Sequence, residues 1–289
     1  MRRFLCVLLV TVPLQIAVRG QAPAAGETLS ESYRGSQRDN VEYQRIPPIK
    51  VFDNLYYVGP GFVSVWLIPT NDGLILVDSA QEPYVDHVIN NITKAGFDPR
   101  NIKFILVTHG HLDHFGGAAK IQAISGARVA MLEEDWTLVG TALKRDMVIK
   151  DGEGLLIGKT LLKVYKLPGH TPGSASFEFT VLDGSRSHKA FIFGGPGQRN
   201  GVEGGTQFLS SIERLQRQFA DVEVPVHVHS WLATYPYPGG GIFERAQALA
   251  RRKAGDPHPF VDNASWRQWL ATAHAGTLKY IEDAKAGRK

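Results

Sequence analysis

Ten consecutive residues, Thr108-His109-Gly110-His111-Leu112-Asp113-His114-Phe115-Gly116-Gly117, place three imidazoles and a carboxylate within six positions. They follow directly on the apolar run Asn101-Ile102-Lys103-Phe104-Ile105-Leu106-Val107. Such a run reads as a strand buried on both faces, and Gly110 permits a sharp turn after it. His109 and His111, two apart, can then point to one side, while Asp113 and His114 open the next helix and face a second point. Neutral imidazole and carboxylate suit a borderline ion such as zinc, and a catalytic zinc takes only three protein ligands so that water can enter. Four donors exceed one such ion. The segment therefore predicts two metal positions close together rather than helix caps and core histidines.

Two further places offer imidazoles. His170 sits in Pro168-Gly169-His170-Thr171-Pro172-Gly173-Ser174, where Pro and Gly on either side fix the backbone and leave the ring projecting. Thr171 and Ser174 are its candidate hydrogen-bond partners. The apolar run Val222-Glu223-Val224-Pro225-Val226-His227-Val228-His229 ends on two histidines that strand alternation would put on one face. His87, His188, His258 and His274 have no ligand-type neighbour in sequence and read as surface or core residues.

The chain has 289 residues, 43% of them hydrophobic, which suits one large domain. Met1-Arg2-Arg3, an apolar stretch to Val18 and small residues near Gly20 and Ala22-Pro23-Ala24 have the layout of a secretory signal peptide. Residues 1–20 are expected to be removed, with cleavage as late as 24, leaving no stable membrane association and a periplasmic or secreted protein. That step takes Arg2, Arg3 and Arg19 from the 32 basic residues, leaving 29 against 28 acidic ones, a net charge of +1. So balanced a chain has no field to attract a polyanion, which argues against a nucleic-acid partner and for a small-molecule substrate. Cys6 is the single cysteine and leaves with the leader, so any metal must be held by His, Asp or Glu.

Residues 21–47 show little periodicity and read as a loosely ordered N-terminal arm, with 48–289 as a single domain. Within it, runs at 50–52, 55–58, 63–68 and 74–78 read as a β-meander, and 82–95 as a helix stopped by Gly96. After the metal-type motif comes a helix over 117–125. The second half repeats this grammar, with strands at 161–167, 176–181, 190–193 and 222–228 and helices near 207–219, 243–252 and 266–284. Periodicity thus predicts a mixed α/β chain of two similar halves.

The His109-to-His114 segment has the H-x-H-x-D-H form of the metallo-β-lactamase superfamily, and the His170 loop resembles that family's G-H-T-x-G-S element. The resemblance implies an α/β four-layer αβ/βα sandwich of the metallo-β-lactamase type and zinc, two ions per chain. It assigns the first ion to His109, His111 and His170, and the second to Asp113, His114 and His229, with His227 as the alternative to His229. Thioesterases of this superfamily, many of its lactonases and its nucleases carry a bridging aspartate after the strand at 190–193, and some β-lactamases carry cysteine there. This chain has Phe193-Gly194-Gly195-Pro196-Gly197. With neither Asp nor Cys, it is most like the third, all-His/Asp subclass of metallo-β-lactamases. The expected function is opening of β-lactam rings, hence antibiotic resistance, by attack of a zinc-activated water, with Asp113 and His170 in the catalytic set. A lactone or other ester hydrolase is the alternative, and a non-catalytic metal-binding periplasmic protein the second. Trp66, Phe115, Tyr235 and Tyr237 are candidates for the pocket wall or, equally, for the core.

Overall fold

The computed structural model describes residues 22, 23 and 25–288, so the expected leader, residues 1–20, lies outside the described residues. Two sheets carry the chain. The first runs in sequence order through β1 (Ile49–Phe52), β2 (Leu55–Tyr57), β3 (Trp66–Thr70), β4 (Gly73–Val77), β5 (Ile102–Leu106), β6 (Arg128–Leu132) and β7 (Met147–Ile149). Its first four strands are an antiparallel meander and its last three join in parallel. The second, also in sequence order, holds β8 (Gly154–Ile157), β9 (Thr160–Lys166), β10 (Ala175–Asp183), β11 (Arg186–Phe193) and β12 (Val224–His227), with only β11 and β12 parallel.

Period-two alternation sorts these strands into layers. Ile75 and Val77 of β4 meet Phe177 and Phe179 of β10 in the core between the sheets. Their neighbours Leu74 and Leu76 face outward, under α3 (Val85–Lys94), α5 (Ala118–Ser125) and α6 (Glu133–Val139). On the far side, Phe191 and Phe193 of β11 pack on α7 (Gly201–Gln218) and α9 (Asn263–Lys285) through Phe208, Ile212, Trp266 and Trp269. Helices, sheet, sheet and helices make the expected four-layer sandwich. The elements β6, α6, β7 and β8 were not foreseen. Among the described residues no helix is long and apolar enough to cross a membrane.

The arm is folded, contrary to the expectation of a loosely ordered segment. α1 (Leu29–Arg34) begins with a capping box between Thr28 and Glu31, and α2 (Val41–Gln44) is capped by Asn40. Leu29, Tyr33, Tyr43 and Ile46 join the intersheet core. Ser30 ties α1 to α8 (Ile242–Arg251): its backbone N–H donates to Glu244 and its Oγ accepts from the Phe243 N–H at 3.0 Å. Glycine, serine and glutamine in the arm hid a pattern whose apolar partners lie far away in sequence.

Candidate metal centre

The site lies where the two sheets meet, at the carboxyl ends of β4, β5 and β12. The Ala175 N–H donates to the Thr108 carbonyl at 2.7 Å, joining the start of β10 to the end of β5. A Cβ at Gly194 would stand 1.8 Å from the Ala175 carbonyl oxygen, so the loop after β11 has no room for a side chain at that position. The close approach of backbone requires glycine at 194, whereas a Cβ at Gly195 would meet only ordinary contacts, 3.6 Å from His170 Cβ, so the absence of an acid or thiol from this loop is a matter of sequence and not of space.

The histidine motif turns off β5, and α4 (Leu112–Phe115) follows His111 at once. This short helix carries Asp113 and His114 to a second point beside the first, as the spacing predicts. His170 enters from the β9–β10 loop. Two trios result: His109, His111 and His170 form one, and Asp113, His114 and His229 the other, with ligand-type atoms in each within 4.8 Å of one another. An ion with bonds of about 2 Å can bridge either trio. The trios adjoin, the His109 and His114 rings lying 3.9 Å apart.

His229 and His227 do not share a face. β12 ends at His227, whose ring turns toward Tyr237 and Trp269 at 5.0 and 5.9 Å in the outer layer. The chain then bends, the Ser64 N–H donating to the Val228 carbonyl and His229 bridging to Val63, and this carries His229 to the metal-type cluster. Alternation holds only while the strand lasts, and nothing in Val-His-Val-His marks its end.

Hydrogen bonds on the far side of each ring set its orientation. Asp78, just past β4 with φ 63°, accepts from the Thr108 N–H and hydroxyl through Oδ1 and stands 2.7 Å from His114 Nδ1 through Oδ2. His170 Nδ1 donates to the Gly197 carbonyl at 2.8 Å, leaving Nε2 free to face His111 Nδ1 at 3.1 Å. Asp135 of α6 accepts from the Gly110 N–H, the Thr171 hydroxyl and the Gly173 N–H, and so pins the two histidine loops together. The Thr171 hydroxyl donates to Asp135 and pairs with the Ser174 hydroxyl, bracing the loop rather than the His170 ring. Asp78 and Asp135 were missed because their partners lie 25 to 38 residues away. Asp78 reads as the end of a strand, and Asp135 stands in Glu133-Glu134-Asp135 with no motif to single it out.

The electrostatics favour neutral imidazoles. Burial drives His109 and His229 well below the ordinary histidine value and His170 down to about 3. His114 goes the other way, because Asp78 outweighs its burial. Asp113 stays charged: burial pushes its carboxyl up, but His114 and Arg34 more than offset that. His109 Nε2, His114 Nε2 and His229 Nδ1 are buried without a hydrogen-bond partner among the described residues. Buried polar atoms without partners are rare, and three converging on one place mark the position of a missing acceptor of lone pairs. The donor set and these orphaned nitrogens fit zinc or a similar metal.

The four aromatic candidates for the pocket wall are core residues. Trp66 donates through its indole to the His227 carbonyl, and Phe115 packs beneath the outer helices. Tyr235 bonds Gln198 and Thr277, and Tyr237 the Asp262 carbonyl. The cavity beside the trios, of about 110 Å³, is lined instead by Arg34, His170, Gly197, Arg199, His229 and Trp231, among others.

Residues 58–183 match the model of the metallo-beta-lactamase superfamily. That segment is a metallo-beta-lactamase superfamily domain. Its structure is similar to that of BJP-1, a subclass B3 metallo-beta-lactamase of Bradyrhizobium japonicum, with 28% identity, a TM-score of 0.71, and 83% of this chain and 95% of that chain covered. The metallo-beta-lactamase FEZ-1 of Legionella gormanii shares the fold at 23% identity and a TM-score of 0.73, over 83% and 97% of the two chains. Among curated proteins, a hydroxyacylglutathione hydrolase of Maricaulis maris is 33% identical over 99 residues, 34% of this chain and 36% of that protein. One from Idiomarina loihiensis is 32% identical over 137 residues, 46% of each. The chain spans less than half the length of these curated relatives.

Proposed function

We propose that this metallo-beta-lactamase domain is a binuclear zinc hydrolase that opens β-lactam rings outside the cytoplasm. The observation that carries this reading is the pair of His/Asp trios together with the loop Phe193-Gly194-Gly195-Pro196-Gly197, which holds neither an acid nor a thiol. His109, His111 and His170 would hold one ion, and Asp113, His114 and His229 the other. When bound, zinc supplies Lewis acidity toward a carbonyl oxygen and brings the deprotonation of water toward neutral pH.

This chain's own residues supply the positioning. Asp78 and the Gly197 carbonyl lock the His114 and His170 rings, so that their other nitrogens are presented as lone pairs. The charged Asp113 carboxylate accepts a hydrogen bond from water and aims it at the scissile carbonyl. Its fixed negative charge is worth more in this half-dry site than in bulk solvent. The second reading, a lactone or thioester hydrolase, is favoured by the hydroxyacylglutathione hydrolases among the relatives. Against it stands the loop Phe193-Gly194-Gly195-Pro196-Gly197, which holds no acid to bridge the two trios.

One assay separates them. Purified protein is offered penicillin, cephalosporin and carbapenem substrates beside a glutathione thioester and a lactone, before and after chelation. Turnover of β-lactams that is lost with chelator and restored by zinc, at about two ions per chain, is the expected result. Thioester turnover without β-lactam turnover would overturn the proposal.

A further inference from the structure

The cavity beside the two trios carries two guanidinium groups, Arg34 and Arg199, on a wall that also holds Gly197, Gln198 and Thr234. Arg34 comes from α1, in the arm, and its position is fixed. Tyr33 beside it is fully buried between Tyr43 and Phe243, at ring distances of 4.8 and 4.6 Å, and lies against Gly61. The Tyr33 carbonyl accepts from the Gln44 side chain at 2.9 Å. Despite this anchoring, Arg34 Nε and Nη1 are buried without a hydrogen-bond partner among the described residues, and Arg34 makes no ion pair there. Leaving a guanidinium fork buried with nothing to accept from it is costly, so its two orphaned donors call for an acceptor in the cavity.

We propose that Arg34 and Arg199 form an acid-binding subsite over the metal centre, which takes a carboxylate of the substrate and so selects anionic acyl compounds. The planar fork of arginine matches the two oxygens of a carboxylate and brings a full positive charge to them. Burial, with Arg38 and Arg199 nearby, lowers Arg34 to about 10, while Asp113 draws it up, so it is charged at neutral pH. The arm is thereby a working wall of the site. This deepens the hydrolase reading above and rests on it for the identity of the reacting bond.

The test uses metal-loaded protein and two probes that differ by one charge, mercaptoacetate and its methyl ester, whose thiol ligates the metal. The quantity read by titration is the acid-to-ester affinity ratio in each variant, so the probes' differing thiol acidity cancels between proteins. In Arg34→Met, which keeps the stem but not the charge, this ratio should fall about tenfold, the size of a lost charge-assisted hydrogen bond. Arg199→Met should also lower it, and Arg34→Lys should keep part of it. Affinity for the ester and metal content by elemental analysis should hold in all three, reporting that the fold and the trios are intact. A ratio unchanged in Arg34→Met, or one that falls only in Arg199→Met, overturns the proposal. If the ratio collapses in Arg34→Met while no β-lactam is hydrolysed, the acid subsite stands and the β-lactam reading falls. If β-lactams are hydrolysed and the ratio is unchanged, the β-lactam reading stands and the acid subsite falls.

Discussion

Each orphaned ring nitrogen in the site depends on what its partner nitrogen does. His114 shows this most directly, since Nδ1 is taken up by Asp78 at 2.7 Å and only Nε2 remains for a ligand. In Asp78→Asn the amide keeps the shape of the side chain and one acceptor, yet three donors converge on the carboxylate from Thr108 and His114. One of them must then face an N–H₂ group. Metal affinity of the Asp113, His114 and His229 trio should fall on the order of 10- to 100-fold, as for other lost supports of a ligand histidine. Competition with a chromophoric chelator measures it. Equal affinity in Asp78→Asn would mean that His114 needs no help in choosing its tautomer.

At the scale of elements, α1 reaches the site only because Gly61 leaves room for the Tyr33 ring. A Cβ at Gly61 would lie 2.0 Å from Tyr33 Cδ1, and that ring, wedged between Tyr43 and Phe243, has no free rotamer to take. Gly61→Ala should therefore destabilise the protein by about 1–3 kcal/mol, the usual cost of overpacking. Denaturant unfolding followed by tryptophan emission reads the loss, and unaltered stability would show that α1 yields without cost. The motif strand, its glycine turn and the split of its four donors were legible in residues 101–117, since every cue is local. The His170 loop was legible for the same reason. What escaped depends on distant partners: the anchoring of 25–47, the supporting acids Asp78 and Asp135, and Arg34 in the cavity. The separation of His227 from His229 escaped too, because the bend after β12 is made by pairing with Val63 and Ser64, not by a turn residue.

The whole molecule is two β-then-α halves closed face to face, and closing them buries many imidazoles away from the metal trios as well as in them. Burial lowers His227 to about 3 and His258 to about 4. His258 is held neutral by its bonds: Nε2 donates to the Val51 carbonyl at 3.0 Å and Nδ1 accepts from the Phe260 N–H, with the ring stacked 4.0 Å from Phe52. A proton on Nδ1 would set donor against donor. In the unfolded chain these rings titrate near 6.5. Between that value and the lower folded one, the unfolded state binds more protons than the folded state. Stability is thus fully present above about pH 6.5 and is lost as pH falls through the window toward 4 and 3. His114, raised by Asp78, has the opposite sign, but it stands against His109, His111, His170 and His229 as well as these two. The metal-free protein should therefore melt at a lower temperature at pH 5 than at pH 7, as followed by circular dichroism. In His258→Gln, whose amide keeps one donor and one acceptor without titrating, the drop between the two pH values should be smaller than in the parent. A melting temperature that holds or rises toward pH 5 would mean that water reaches these rings in the folded protein and that the interlayer packing is looser than their burial requires.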